Sequence, residues 1–136
     1  MPIQLINPPG LPQPPSYSQV VVATGTRQVI VAGQVPSDAD GNLVGTGDLA
    51  AQTEQALRNV ATALAAAGAS FADVVRLGIF VAGYDEHSLE LVGAGIGRAG
   101  DVLVRTDGPP AATLVGVAAL AFPGQLIEIE ATAVLP

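Results

Sequence analysis

Two glutamates, Glu128 and Glu130, stand two residues apart in the run Leu126 to Val134, LIEIEATAV. In a strand, successive side chains point to opposite faces. Glu128, Glu130 and Thr132 therefore share one face, while Ile127, Ile129, Ala131 and Ala133 share the other. The carboxylates then lie about 6.5–7 Å apart along the strand, too far to share one proton. A positioned carboxylate can orient or deprotonate a water. The plain alternative is the wet side of an antiparallel sheet. Composition argues for more than that: only 12% of the chain is charged, it has no Lys, and five arginines must serve twelve acidic residues. Two carboxylates on one short strand therefore call for an explanation.

The glutamate strand closes a longer unit, Pro109 to Val134, in which two strand-like runs are expected to pair across a turn at Phe122-Pro123-Gly124. Upstream, residues 1–16 hold six prolines, which exclude helix and most ladder pairing and suggest an extended arm docked on the body. The β-branched runs Ser18 to Thr24 and Gln28 to Gly33 flank Gly25-Thr26-Arg27 and read as a hairpin, with Gly25 supplying a positive φ. A loop with a turn at Asp40 to Asn42 follows. Asp48 caps the best helix of the chain. Its buried stripe is Leu49, Thr53, Ala56, Leu57, Val60, Leu64 and Ala67; Gln52, Gln55, Arg58, Asn59 and Thr62 point away, and Gly68 stops it. Ser70 and Asp73 nucleate one more turn before a third long strand, Val74 to Ala82.

From Gly83 to Gly108 the pattern weakens. Asp85 or Ser88 caps a second helix that should be short or frayed, because each interior Gly costs about 1 kcal/mol relative to Ala. Gly95 to Gly100 spells G-x-G-x-x-G, but no strand ends at its first glycine and no helix opens after it, so a dinucleotide site is not expected.

At 136 residues the chain is read as one domain with the Pro-rich arm at its start, large enough to bury a core without disulfides. It has no Cys and one His, so thiol chemistry is excluded, and neither a metal site nor a cofactor is expected. The opening MPIQLINPPG lacks a basic segment followed by an apolar one, and no apolar run approaches ~18 residues, so a cytoplasmic protein without a leader or membrane span is expected. A net charge of −7 with five aromatics argues against nucleic-acid binding. The 49% hydrophobic content points to surplus apolar surface and hence to oligomerisation.

In order and spacing, Tyr17-Ser18-Gln19, Val31-Ala32-Gly33-Gln34, the helix stretch Gln52-Thr53 to Asn59, Ala66 to Ala69, Asp73-Val74-Val75, Pro110 to Thr113 and Ile127 to Ala131 resemble the Rid family, the YjgF group of reactive-intermediate deaminases. The resemblance runs from about Asn7 onward and is weakest from Gly83 to Gly108. It implies a chorismate-mutase-like α+β subunit: a mixed sheet with two helices on one face, assembled as a homotrimer with small-molecule sites in clefts between subunits.

Deaminases of the family hydrolyse enamines and imines released by pyridoxal-phosphate enzymes, giving a keto acid and ammonia. An arginine clamps the substrate carboxylate, and a glutamate of the last strand holds the attacking water. By that resemblance Glu128 is the catalytic residue, and Tyr17, Gly33, Ala112 and Thr113 line the substrate site. Ala112 stands where the deaminases carry the arginine, and losing such a clamp argues against deamination of 2-imino acids. Arg105 and Arg76 are the other arginines near enough in sequence to serve, and both read as surface residues. The expected function is thus hydrolysis of an imine, enamine or related electrophile through a water held by Glu128. The alternative is a trimer that binds a ligand or partner without catalysis. RNA cleavage ranks last, since an acidic, Lys-free chain offers neither phosphate contacts nor an acid-base pair.

Overall fold

In a computed structural model, which describes residues 2–136, the last strand predicted from the sequence lies inside the sheet rather than at its edge. The elements run β1 (Ile3–Ile6), β2 (Val20–Ala23), β3 (Arg27–Gln34), α1 (Leu49–Ala66), a 3-10 turn at Phe71–Asp73, β4 (Val74–Ala82), α2 (Ser88–Arg98), β5 (Ala111–Val117) and β6 (Ile127–Leu135). The main sheet has the order β3-β6-β4-β5. β6 is antiparallel to both β3 and β4, and β4 and β5 are parallel, joined through α2. This is the mixed sheet of the expected α+β class.

One sheet face is covered and the other is open. Ile127, Ile129, Ala131, Ala133 and Leu135 of β6 are all buried and join Val74, Leu77, Ile79 and Val81 of β4 in the core. Against them α1 lays Leu49, Thr53, Ala56, Leu57, Val60 and Leu64, the predicted stripe except for Ala67, which caps the helix end and is exposed. Each large side chain so buried contributes about 1.5–3 kcal/mol relative to exposure, far more than helix propensity could supply. Asp48 caps the helix as expected, accepting from Ala51 N at 3.0 Å, and Gly68 follows it at φ +75°. The Ser70/Asp73 turn also forms, with Ser70 N donating to Asp73 at 2.8 Å.

Several expectations fail, each for a physical reason. β5 and β6 do not pair across Phe122-Pro123-Gly124, because β4 inserts between them. β2 and β3 form no hairpin: β3 takes β6 as its partner, while β2 pairs with Ile3–Ile6 of the arm, a proline-free run that escapes the restriction on its neighbours. Gly25 is not at positive φ; a Cβ there would collide with the Leu135 carbonyl, so close backbone approach explains the residue. Gln52 does not point away but is fully buried. Its amide donates to Gly45 O at 3.1 Å and Gly124 O at 3.0 Å, and its oxygen accepts from Leu126 N at 2.7 Å.

α2 runs through Gly93, Gly95 and Gly97 to Arg98 rather than fraying. Gly95 allows the close approach of α1, since a Cβ would sit 2.5 Å from Ala50 O and from Thr53 Cβ. Packing thereby recovers what propensity loses. Arg58 fastens the far end of α2: it ion-pairs with Glu54 at 2.9 Å, donates to both oxygens of Asp101 at 3.0 Å, and reaches Arg98 O at 3.1 Å. The G-x-G-x-x-G run lies on this helix and its end, not on a strand-to-helix turn. No helix among the described residues is long and apolar enough to cross a membrane.

Candidate functional site

The open sheet face carries the glutamates. Register places Glu128 beside Phe80 of β4 and Glu130 beside Gly78, with Thr113 of β5 next to Gly78 in turn. Glu128, Glu130 and Thr113 therefore share one surface, alongside Ile30, which is 69% exposed, and Val115. Strand alternation alone dictates this grouping.

Glu128 is held from two sides. The register of β3 against β6 shifts between Val31 and Gln34, and this irregularity brings Gly33 against the Glu128 side chain. A Cβ on residue 33 would overlap the Glu128 carboxylate, so only glycine admits it there. On the other side Gln125, itself buried, donates to Glu128 Oε1 at 3.1 Å and to Ile127 O at 3.3 Å. Gln125 has no counterpart in the sequence-derived site. Nothing in the pattern of its neighbours marks it, because its role depends on the turn at Gly124, where φ is +80°.

Glu130 is differently placed. Arg76 approaches it at 3.7 Å, a loose ion pair between half-exposed side chains worth little on an open surface. Arg76 is the surface residue it was expected to be.

Ala112 lies on the opposite side of the sheet from Glu128. It adjoins Leu77 in register and lines a cavity of about 310 Å³ between the sheet and α2, with Ile79, Ile129, Val92 and Leu103. Arg105 lines the same cavity, and here the surface reading is corrected: its side chain is only 6% exposed. The loop that carries it folds back under Phe71 and Val74, whose carbonyls accept from Nη1 at 2.8 and 2.6 Å.

Tyr17 is half-buried and is not one of the residues that line this cavity. Its neighbour Ser16 lines the wall. Ser18 anchors the arm to the start of β5, its hydroxyl donating to Pro109 O at 2.6 Å and its N–H to Pro110 O at 3.0 Å. The sequence-derived residues thus fall into two groups. Glu128, Gly33 and Thr113 belong to the open face, whereas Ala112 lines the helix-side cavity and Tyr17 follows Ser16 of its wall. Among the described residues no His/Cys/Asp/Glu cluster suited to a metal ion occurs.

The chain is 42% identical to a conserved Rid-family protein from Yersinia pestis, whose crystal structure superposes with a TM-score of 0.89 over 99% of this chain and 100% of that one. The 3-aminoacrylate deaminase RutC of Acinetobacter baylyi is 34% identical over 87 residues, 64% of this chain and 68% of the relative. The 2-iminobutanoate/2-iminopropanoate deaminase of Dermatophagoides farinae is 33% identical over 86 residues, 62% of this chain and 66% of the relative. The fold is the chorismate-mutase-like α+β fold of that Rid structure. Residues 12–135 match the family described as Endoribonuclease L-PSP, and the chain belongs to this family, the YjgF/Rid group.

Proposed function

We propose that this chain forms a homotrimer with a small-molecule site at each subunit interface, and that the site hydrolyses an imine, enamine or related electrophile other than a 2-imino acid. Two relatives, named as deaminases of 3-aminoacrylate and of 2-iminobutanoate/2-iminopropanoate, support the reaction class; the exclusion of 2-imino acids here rests on Ala112 in place of the clamping arginine. The observation that carries the reading is the Glu128 carboxylate fixed between Gly33 and Gln125 on the open sheet face. A carboxylate so fixed orients a water without having to reorganise during the reaction.

The split of the candidate residues supports an interfacial site. Within one chain the sheet separates Glu128 from Ala112, and Ala112 belongs to the edge strand β5. A ligand that meets both groups is reached when the β5 edge of one copy approaches the open face of another. The exposed Ile30 and Val115 give that face apolar surface to bury.

In the reaction, Glu128 directs a water oxygen to the C=N carbon and takes up its proton. A proton returns to nitrogen, the C–N bond breaks, and one water is consumed for each carbonyl product and ammonia released. Gly33, Thr113 and Tyr17 line the ligand, and Ala112 leaves room where a carboxylate clamp would stand.

The test is ammonia release from freshly generated imines with and without a carboxylate, in the native protein, Glu128→Gln and Ala112→Arg. The expected result is hydrolysis of uncharged imines that falls about 100-fold or more in Glu128→Gln, with 2-imino acids accepted only after Ala112→Arg. Equal rates in native protein and Glu128→Gln overturn the assignment. The absent clamp also favours a second reading, a trimer that binds without catalysis; ligand binding with no turnover on any imine would select it. RNA cleavage stays last for a chain of net charge −7 without Lys.

A further inference from the structure

The helix-side cavity has a chemical character of its own. Its wall is mostly aliphatic, and Arg105 is the charged side chain on it among the described residues. A guanidinium has five N–H donors. Here Nη1 donates to Phe71 O at 2.8 Å and Val74 O at 2.6 Å, while Nε and Nη2 donate to the two oxygens of Asp107 at 3.2 and 3.3 Å.

Two consequences follow from that occupancy. The Nε/Nη2 fork, which would grip a ligand carboxylate bidentately, is already closed on Asp107. A second carboxylate would also meet a charge already neutralised, so its removal from water would go uncompensated. One N–H remains outside these bonds, enough for a single uncharged acceptor.

We propose that this cavity takes a neutral, mainly apolar small molecule bearing one acceptor such as a carbonyl oxygen or a neutral imine nitrogen, and that the Arg105–Asp107 pair excludes carboxylates from it. Its volume of about 310 Å³ suits a compact ligand rather than a nucleotide or a long chain. The proposal rests on the interfacial site above for the reaction that follows binding. Binding itself requires no turnover.

The test uses a matched pair of nearly equal shape, 4-fluoroacetophenone and 4-fluorobenzoate, titrated into the native protein and followed by fluorine NMR. The expected result is saturable binding of the ketone, at least about tenfold tighter than the benzoate. Asp107→Asn frees the fork and should swing the preference toward benzoate. Ala112→Phe fills the cavity and should abolish ketone binding. Methyl shifts in the unaltered protein keep the test decisive if a variant fails to fold: the ketone should move Leu77, Ile79 and Ala112. Benzoate bound as tightly as ketone by the native protein, no saturable ketone binding, or shifts confined to other residues would each overturn the proposal. A protein that binds the ketone yet hydrolyses no imine overturns the proposed reaction and leaves the cavity assignment standing. The reverse outcome does the opposite.

Discussion

The Glu128 carboxylate lies against the backbone of Gly33, so closely that a Cβ on residue 33 would come within 2.8 Å of the carboxyl carbon. Gly33→Ala should therefore push Glu128 off its bond from Gln125. Hydrolysis of uncharged imines is expected to fall at least tenfold, roughly what loss of an oriented water would cost, with a stability loss of about 1–3 kcal/mol. Parallel rate and urea-unfolding measurements check this; an unchanged rate would show that the contact does not set the carboxylate's position.

Gln52 joins α1 to two loops through three hydrogen bonds while fully buried. Gln52→Leu keeps the volume but strips partners from Gly45 O, Gly124 O and Leu126 N. A loss of about 3 kcal/mol is expected in urea unfolding. A shift in midpoint within error of the native value would mean that water replaces all three bonds.

The glycines of α2 should respond in opposite directions. A Cβ at Gly97 would have nothing within 4 Å of it, whereas at Gly95 a Cβ meets Ala50 O and Thr53 at 2.5 Å. Gly97→Ala should stabilise the fold by about 0.5–1 kcal/mol. Gly95→Ala should destabilise it by about 1–3 kcal/mol through overpacking. Thermal unfolding of the two variants side by side reads the contrast.

Asp101 is held below the usual aspartate range, chiefly by the hydrogen bonds it accepts from Arg58. A lowered folded-state value means that the contribution is fully present above the ordinary value of 3.8 and is lost as pH falls through the lower, folded one. Acid titration should loosen the end of α2 in that window, and Asp101→Asn should remove that part of the pH dependence. Because the pair is exposed, the effect should shrink as salt is added. Amide exchange at Arg98 and Ala99 between pH 2 and pH 5, about the range of carboxylate titration, is the direct readout.

Much of the covered face was legible in the sequence because periodicity there records burial. The stripe Leu49 to Leu64, the alternation of Ile127 to Ala133 and the run Val74 to Ala82 all hold in the structure. Strand partners were not legible. Nothing in Val20 to Ala23 says that it pairs with Ile3–Ile6 rather than with its neighbour, since β-branched runs suit either ladder. Buried polar residues misled for a similar reason: Gln52 and Arg105 look solvent-facing by type, and only the carbonyls that the fold brings to them offset the cost of burial. Glu128 was visible through alternation, whereas Gln125 was not, because its role exists only after the turn at Gly124 has formed.

The position of β6 in the sheet also bears on how the chain acquires its structure. β6 is the last strand along the chain yet joins β3 to β4, with Arg27 opposite Leu135. During synthesis β3 therefore waits, unpaired, for more than ninety residues, roughly five to twenty seconds at ordinary elongation rates. The helices and the parallel β4–β5 pair emerge first, with one flank of β4 bare. Sheet closure is thus a late, long-range event, and the nascent chain spends its assembly time with exposed strand edges that a chaperone or a neighbouring chain can capture.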